Sequence, residues 1–451
     1  MATTDVAGPE EGTGPATGRP RRRALAIWSW VSYDWGGSAF SAVINTFVFT
    51  TYLTDAVAAE DGRISGATAL AIASACAGVV IALSAPFLGQ RADTGGRKRS
   101  LAVWTAVVIA ATYLMFLVRP DPAYLLFGLI LFAVGNIASE IANVSYYAML
   151  NQVADEDDIG RVSGLGWAMG YVGSIFLLLV AYFGLIAQPN WFGVPDTDGW
   201  GVRIVCLVVA TWFLVFAVPV FLTVPEPPAR QVAERPDGRT AWHGMADAVR
   251  RLVRDVVDLW HRDRDTVWFL IASAIYRDGL AAVFTFGGVL AVSVYGMPAA
   301  TVLIFGVGAN VVAAAGAALG GRLEDRIGPK AVILGSIAGL LVSALALLFV
   351  RDLSWFWVFG LALCAFVGPA QASSRSFLAQ KAPDRQEGQM FGLYATAGRA
   401  VSFVSPTLFG LFALLTGADR WGTIGIIIVL AVGGAILLRV PDPHRRLVPD
   451  R

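Results

Sequence analysis

Six ionisable side chains lie in stretches of sequence that are otherwise apolar. Asp34, Glu140 and Asp278 are acids, and Arg277, Arg375 and Arg399 are bases. A charge at the centre of a membrane helix costs about 2.5–3.5 kcal/mol on the insertion scale, so each needs a partner, a ligand or water. A carboxyl screened from water can exchange protons near neutral pH. All six are therefore candidates for contacting a solute or coupling its movement to protons. The equal count of acids and bases also fits interhelical ion pairs that hold helices together, and such pairs can themselves act as gates. Tyr33, Asn143, Tyr147 and Gln371 lie near these charges and could line a site, although for each taken alone an interhelical hydrogen bond is the better-supported role.

The elements that must position these residues follow from composition. Of 451 residues, 56% are apolar and 15% charged, with a mean hydropathy of +0.63. Soluble domains carry roughly 25% charge, so an ordinary cytosolic enzyme and a disordered chain are excluded. A net charge of +1 leaves no broad basic face for nucleic acid. Hydropathy suggests an all-α integral membrane protein with twelve transmembrane helices, since a span needs about 20 apolar residues. A single long loop, 224–265, separates six helices (24–223) from six more (266–440), and residues 1–23 and 441–451 read as tails, the first of them disordered. Within the loop, Trp242, Met245, Val249, Leu252, Val253, Val256, Val257 and Trp260 share one helical face, which suggests a helix lying along the membrane surface.

Basic residues give the orientation. Of the 34 lysines and arginines, 26 fall in the tails, the long loop and the loops on one side, 5 on the other, and 3 within spans. The positive-inside bias places both termini and the long loop in the cytoplasm. Most tryptophans fall near helix ends, as an interfacial belt would. Counting 1.5 Å per residue, Arg399 and Asp278 reach mid-bilayer, while Asp34, Glu140 and Arg375 lie nearer the cytoplasm. The run Asp155-Glu156-Asp157-Asp158 reads as a solvated loop, with a cation site as the alternative.

The halves repeat one another. Gly89, Asp93, Gly96 and Lys98 recur as Gly321, Asp325, Gly328 and Lys330, each shifted by 232, and Gly160, Gly164 and Gly170 recur as Gly388, Gly392 and Gly398, shifted by 228. Tyr33 and Asp34 similarly answer Tyr276 and Asp278. The pattern Gly-x-x-x-Asp-x-x-Gly-[Arg/Pro]-Lys, between the second and third helices of each half, resembles the signature loop of the major facilitator superfamily. The stretch Ser32-Tyr33-Asp34-Trp35-Gly36-Gly37-Ser38-Ala39-Phe40 and the region Asn143 to Gly170 resemble the vacuole effluxer (autophagy-related protein 22-like) branch, whose eukaryotic members export amino acids from vacuoles. Thr94 and Pro329 depart from the general loop pattern, so the two loops need not bear equally on gating.

The resemblance implies two pseudo-symmetric six-helix bundles that rock about a midplane site. It also implies a gating loop in which Gly89, Asp93, Gly96, Arg97 and Lys98, with Gly321, Asp325, Gly328 and Lys330, lock the inner side, and it nominates neutral amino acids as solute. Asp93 near a helix end can accept hydrogen bonds from a neighbouring helix N-terminus, while Arg97, Lys98 and Arg99 would stay in the interface. The expected partners are a small-molecule substrate and the lipid bilayer, without nucleic acid, for a monomer in a bacterial inner membrane. Three histidines, all in the loop or tail, and three scattered cysteines suggest no metal centre, and no Walker A, His-Glu-x-x-His or Gly-x-Ser-x-Gly pattern appears. No cofactor is therefore expected. The competing reading is an integral-membrane enzyme acting on lipid or a lipid-linked substrate.

Overall fold

The computed structural model describes residues 18–58, 65–195, 197–226 and 245–443. The sequence-based reading of 1–17 and 444–451 as tails therefore falls outside the described residues, as does most of 224–244. The chain is helical throughout, with no strand among the described residues. In chain order the helices of the first half are α1 (Gly18–Ala39), α2 (Gly66–Gly95), α3 (Arg97–Met115), α4 (Leu125–Ala148), α5 (Ile159–Ala181) and α6 (Trp200–Thr223). A linker helix, α7 (Met245–Arg262), leads to α8 (Arg264–Ser293), α9 (Ala299–Ile327), α10 (Pro329–Phe349) and α11 (Leu353–Lys381). The last three are α12 (Glu387–Val401), α13 (Val404–Thr416) and α14 (Thr423–Leu438).

Among the described residues, ten helical stretches are long and apolar enough to cross a membrane. The segments around α1 and α3 lie outside that set, and both differ from a plain apolar rod. Helix α1 begins at Gly18 rather than near residue 24, so its first two turns carry Arg21, Arg22 and Arg23. Beyond Ala39 it widens into π-helical turns, closed for example by Val48 N–H donating to the Val43 carbonyl at 2.9 Å. Helix α3 opens on Arg97, Lys98 and Arg99. The apolar stretch Glu387–Thr416, long enough for a single span, is broken between α12 and α13 at Ser402 and Phe403.

Local chemistry sets the boundaries. Gly96 (φ 100°) ends α2 and starts α3 in a single residue, and Gly328 (φ 85°) does the same between α9 and α10. Only glycine enters that region without a Cβ penalty, so the tight turn needs it at both places. Pro329 then occupies the first turn of α10, where its missing N–H costs nothing. Asp263 separates α7 from α8 by accepting from Thr266 N–H at 3.2 Å.

The halves meet chiefly through two pairs of helices, α2 with α12 and α5 with α9. Small residues permit the approach. A Cβ on Gly89 or on Gly388 would run into the other's backbone carbonyl, and one on Gly321 would stand 3.0 Å from Gly164 Cα. The turns near Gly96 and Gly328, the start of α1, the α4–α5 and α11–α12 connections and Pro443 gather at one end of the molecule, here called the tail face. Toward the opposite end, the segments Phe40–Val57 and Val404–Thr416 pack chiefly within their own bundles. The bundles are therefore held together at the tail face, with further contacts deeper in, where Thr396 donates to the Ala82 carbonyl at 2.8 Å and Tyr171 stacks on Phe284. Gly388→Leu should leave membrane insertion intact yet raise modification of a cysteine at position 143, in an otherwise cysteine-free chain, by an impermeant maleimide applied at the tail face. Unchanged labelling would show that this close approach does not keep the face shut.

Candidate functional site

Two signature loops each aim a carboxylate at a helix start in the other half. Asp93 accepts hydrogen bonds from the N–H groups of Gly388 (2.9 Å) and Gln389 (3.0 Å), at the first turn of α12. Asp325 accepts from the N–H of Arg161 (3.1 Å), at the first turn of α5. Residues 161 and 389 are counterparts in the 228-residue repeat, so the two clasps are related by the duplication. Each places a negative charge on unpaired amides at the positive end of a helix dipole.

The clasps differ in strength of support. Arg97 donates to Asp93 through Nε (2.9 Å) and Nη2 (2.8 Å), to the Ala148 carbonyl through Nη1 (3.0 Å), and pairs with Glu387. It is 7% exposed, which corrects the reading of Arg97 as an interfacial cation. Its carboxylate partners, supplied by α2 and α12, outweigh the pull of the headgroup region. In the second copy Pro329 stands where Arg97 stands in the first, and no arginine reinforces Asp325 from that position. Lys98 contributes its backbone N–H to Glu226 (3.1 Å), and Lys330 bonds the Leu438 carbonyl (3.0 Å). Of the acidic run, Asp155, Glu156 and Asp157 are exposed as the solvated reading expects, and Asp158 alone departs from it. Asp158 is buried and pairs with Arg23 (2.7 Å) and Arg161 (3.2 Å). Among the described residues no cluster of three or more His, Cys, Asp or Glu is arranged to hold a metal.

Above the clasps lies a cavity of about 180 Å³ between the bundles. Glu140, Asn143 and Tyr147 of α4, Arg277 of α8, and Gln371 and Arg375 of α11 line it, joined by Trp167, Phe391 and Tyr394. Arg375 is its floor. The guanidinium is 2% exposed, reaches Asp34 of the other half at 3.0 Å and gives two further hydrogen bonds to Ser163. The rings of Trp30 (4.7 Å), Tyr147 (5.1 Å), Tyr146 (5.8 Å) and Trp167 (5.8 Å) surround it within cation–π range. Trp30, at a predicted helix end, is thus fully buried and no part of an interfacial belt. Arg399 pairs with Glu140 at 2.5 Å, again across the halves. Arg277 lies against the Tyr394 ring at 3.8 Å.

Two candidates lie elsewhere. Tyr33 is buried against Tyr146 and Phe213, with its hydroxyl on Thr105 at 2.9 Å. Asp278 turns away from the cavity and accepts from Ser405 N–H at 2.6 Å, so it caps the start of α13 just past the helix break. The mid-bilayer depth inferred for Asp278 did not specify which way it faced.

A family model described as "Vacuole effluxer Atg22 like" matches residues 62–446. The chain belongs to that family. It is similar to the uncharacterized MFS-type transporter YxiO of Bacillus subtilis (strain 168), with 28% identity covering 92% of this chain and 94% of that one. Autophagy-related protein 22-1 of Aspergillus fumigatus is 26% identical over 64% of this chain and 48% of its own length. Among solved structures, the fold is similar to that of the proton:xylose symporter XylE bound to 6-bromo-6-deoxy-D-glucose, with a TM-score of 0.68, 12% identity and coverage of 93% of this chain and 95% of that chain. It is also similar to FucP in the outward conformation, with a TM-score of 0.67, 13% identity and coverage of 94% and 100%. The protein is an integral-membrane secondary transporter of the major facilitator class.

In this effluxer-family chain, sequence reasoning missed Glu387, Glu324 and Tyr394. Glu387 sits at the boundary of a predicted span, where acids are common. Glu324 is 2% exposed and accepts from Ser373 (2.6 Å) and Ser376, but in the sequence it is masked by the loop motif around it. Tyr394 follows Phe391 by one helical turn, a spacing that apolar packing also produces. A double-mutant cycle on Arg97→Gln and Glu387→Gln, read from tail-face labelling of the cavity, should return a coupling of about 0.5–3 kcal/mol. A coupling near zero would mean that the pair does not help hold the face closed.

Proposed function

We propose that this effluxer-family protein moves a small organic solute by alternating access, with the central cavity as its binding site and the tail face as its inner gate. The observation that carries this reading is the cavity itself, lined by both bundles and floored by the inter-bundle pair Arg375–Asp34. In transporters built from repeats, solute and coupling ions bind near the bilayer midplane at the repeat interface. The positive-inside count puts the tail face in the cytoplasm, and the site then opens toward the exterior of a bacterial inner membrane. The family resemblance nominates neutral amino acids as the solute class.

Glu140 is the coupling residue in this reading. It lines the cavity, is about one-third exposed, and pairs with an arginine of the opposite bundle. A proton arriving at Glu140 would neutralise its half of the Arg399 pair and loosen the link between α4 and α12. Asp34 is held by the buried Arg375 and suits a gate, whereas Asp278 is committed to α13. The purified monomer in proteoliposomes should show saturable counterflow for some member of an amino-acid, sugar and drug panel. Glu140→Gln should abolish accumulation driven by a pH gradient while sparing exchange. Undiminished accumulation in that variant would remove Glu140 from coupling, and linear, unsaturable flux would overturn the carrier reading.

A further inference from the structure

Glu324 is a buried acid without a cation. It is 2% exposed, and its partners are two hydroxyls of α11, Ser373 at 2.6 Å on one oxygen and Ser376 on the other. Among the described residues no arginine, lysine or histidine pairs with it. Asp325 beside it and Asp442 beyond α14 add like charge to its surroundings. The nearby cations are engaged or turned outward. Arg161 of α5 pairs with Asp158 (3.2 Å), Arg375 of α11 with Asp34 (3.0 Å), and Lys330 of α10 bonds the Leu438 carbonyl (3.0 Å), while Arg322 and Arg326 are exposed. An ionised carboxylate held from water on these terms is costly, and the neutral acid avoids that cost. The serines can serve either form. The Ser376 hydroxyl lies 3.2 Å from the Ser373 carbonyl and 3.3 Å from the Ala372 carbonyl, so it can turn to them and accept from a protonated Glu324, or donate to an ionised one.

The cover over this carboxyl belongs to the other half. A Cβ on Gly160 of α5 would stand 2.7 Å from Glu324 Cβ and 2.8 Å from its carboxyl carbon. Helices α5 and α9 are one of the two pairs that close the tail face, so parting them admits water to Glu324. We infer that Glu324 is a proton-binding latch on the tail face, protonated while α5 covers it and discharged to water on that side when the bundles part. This rests on the reading of the tail face as the inner gate and adds a second proton site to Glu140. The closed state binds the proton more tightly than the open one. By linkage, a proton on Glu324 holds the face closed, and raising the pH there favours opening. The latch exists in one copy only. Ala92 stands at the corresponding position of the first half, where Arg97 and Glu387 reinforce the clasp instead.

The test reads tail-face labelling of a cysteine at position 143 by an impermeant maleimide, on the full-length, otherwise cysteine-free chain in proteoliposomes. Each rate is divided by that of the denatured protein at the same pH, which removes the titration of the thiol itself. Raising the tail-face pH from about 5.5 to about 8 should increase the normalised rate about fivefold or more, the low end of ordinary coupling between sites. Glu324→Gln, whose amide hydrogen-bonds but cannot ionise, should stay at the acid-side rate throughout. Ser376→Ala removes a donor to the anion and should move the midpoint of the rise up by about one pH unit, the scale of one charge-assisted bond. A flat profile in the parent chain, or a rise that survives undiminished in Glu324→Gln, overturns the inference. If Glu324→Gln fails to insert, an unmoved rise in Ser376→Ala overturns it in its place. Counterflow by the unsubstituted protein decides the carrier reading separately, so saturable counterflow beside a flat profile removes the latch and leaves the carrier intact.

Discussion

The structure depends on placing carboxylates at helix N-termini inside a membrane protein. Asp93 does so for α12, Asp325 for α5 and Asp278 for α13. In each case a buried or half-buried carboxylate and a set of unpaired amides, either of them costly alone, satisfy one another. Two of these three carboxylates reach across between halves at the tail face, so opening that face exposes them. Only the first is reinforced by an arginine and a second acid, through Arg97 and Glu387. The duplicated architecture is therefore symmetric in its geometry and asymmetric in its electrostatics.

The cavity inherits its floor from the same closure. With the tail ends of α2, α5, α9 and α12 in contact, Arg375 can reach across to Asp34 and Ser163, enclosed by four aromatic rings. Opening the tail face separates these groups. A solute or proton can favour that separation only through contacts that differ between the two states. The glycines at 89, 164, 321 and 388 let backbones meet closely, which makes the closed arrangement a distinct packed state rather than a soft limit.

Much of this was legible in the sequence because few alternatives are open to it. A charge in an apolar run is conspicuous, and six of the ten candidate residues turn out to line the cavity. The glycines of the signature loops were legible because a one-residue turn between helices requires positive φ. What stayed hidden depends on direction and partner. Asp34 and Asp278 occupy matching repeat positions, yet one meets an arginine and the other a helix start, and the surrounding sequence does not distinguish them. Arg97 and Asp158 sit among solvated charges along the chain, so their burial follows only from Glu387 and Arg23, distant in sequence. The break after Val401 carries no proline at the break itself and became visible only with Asp278 placed against Ser405.

The central claim is that the bundles separate at the tail face during each transport cycle. Asn151 donates to the Ala379 carbonyl at 2.9 Å across that face, away from both clasps and from the cavity lining. A cysteine pair at 151 and 379, in an otherwise cysteine-free chain, allows the ends to be joined by oxidation. The account requires counterflow to stop on oxidation and return on reduction. Full counterflow through the cross-linked protein would contradict it.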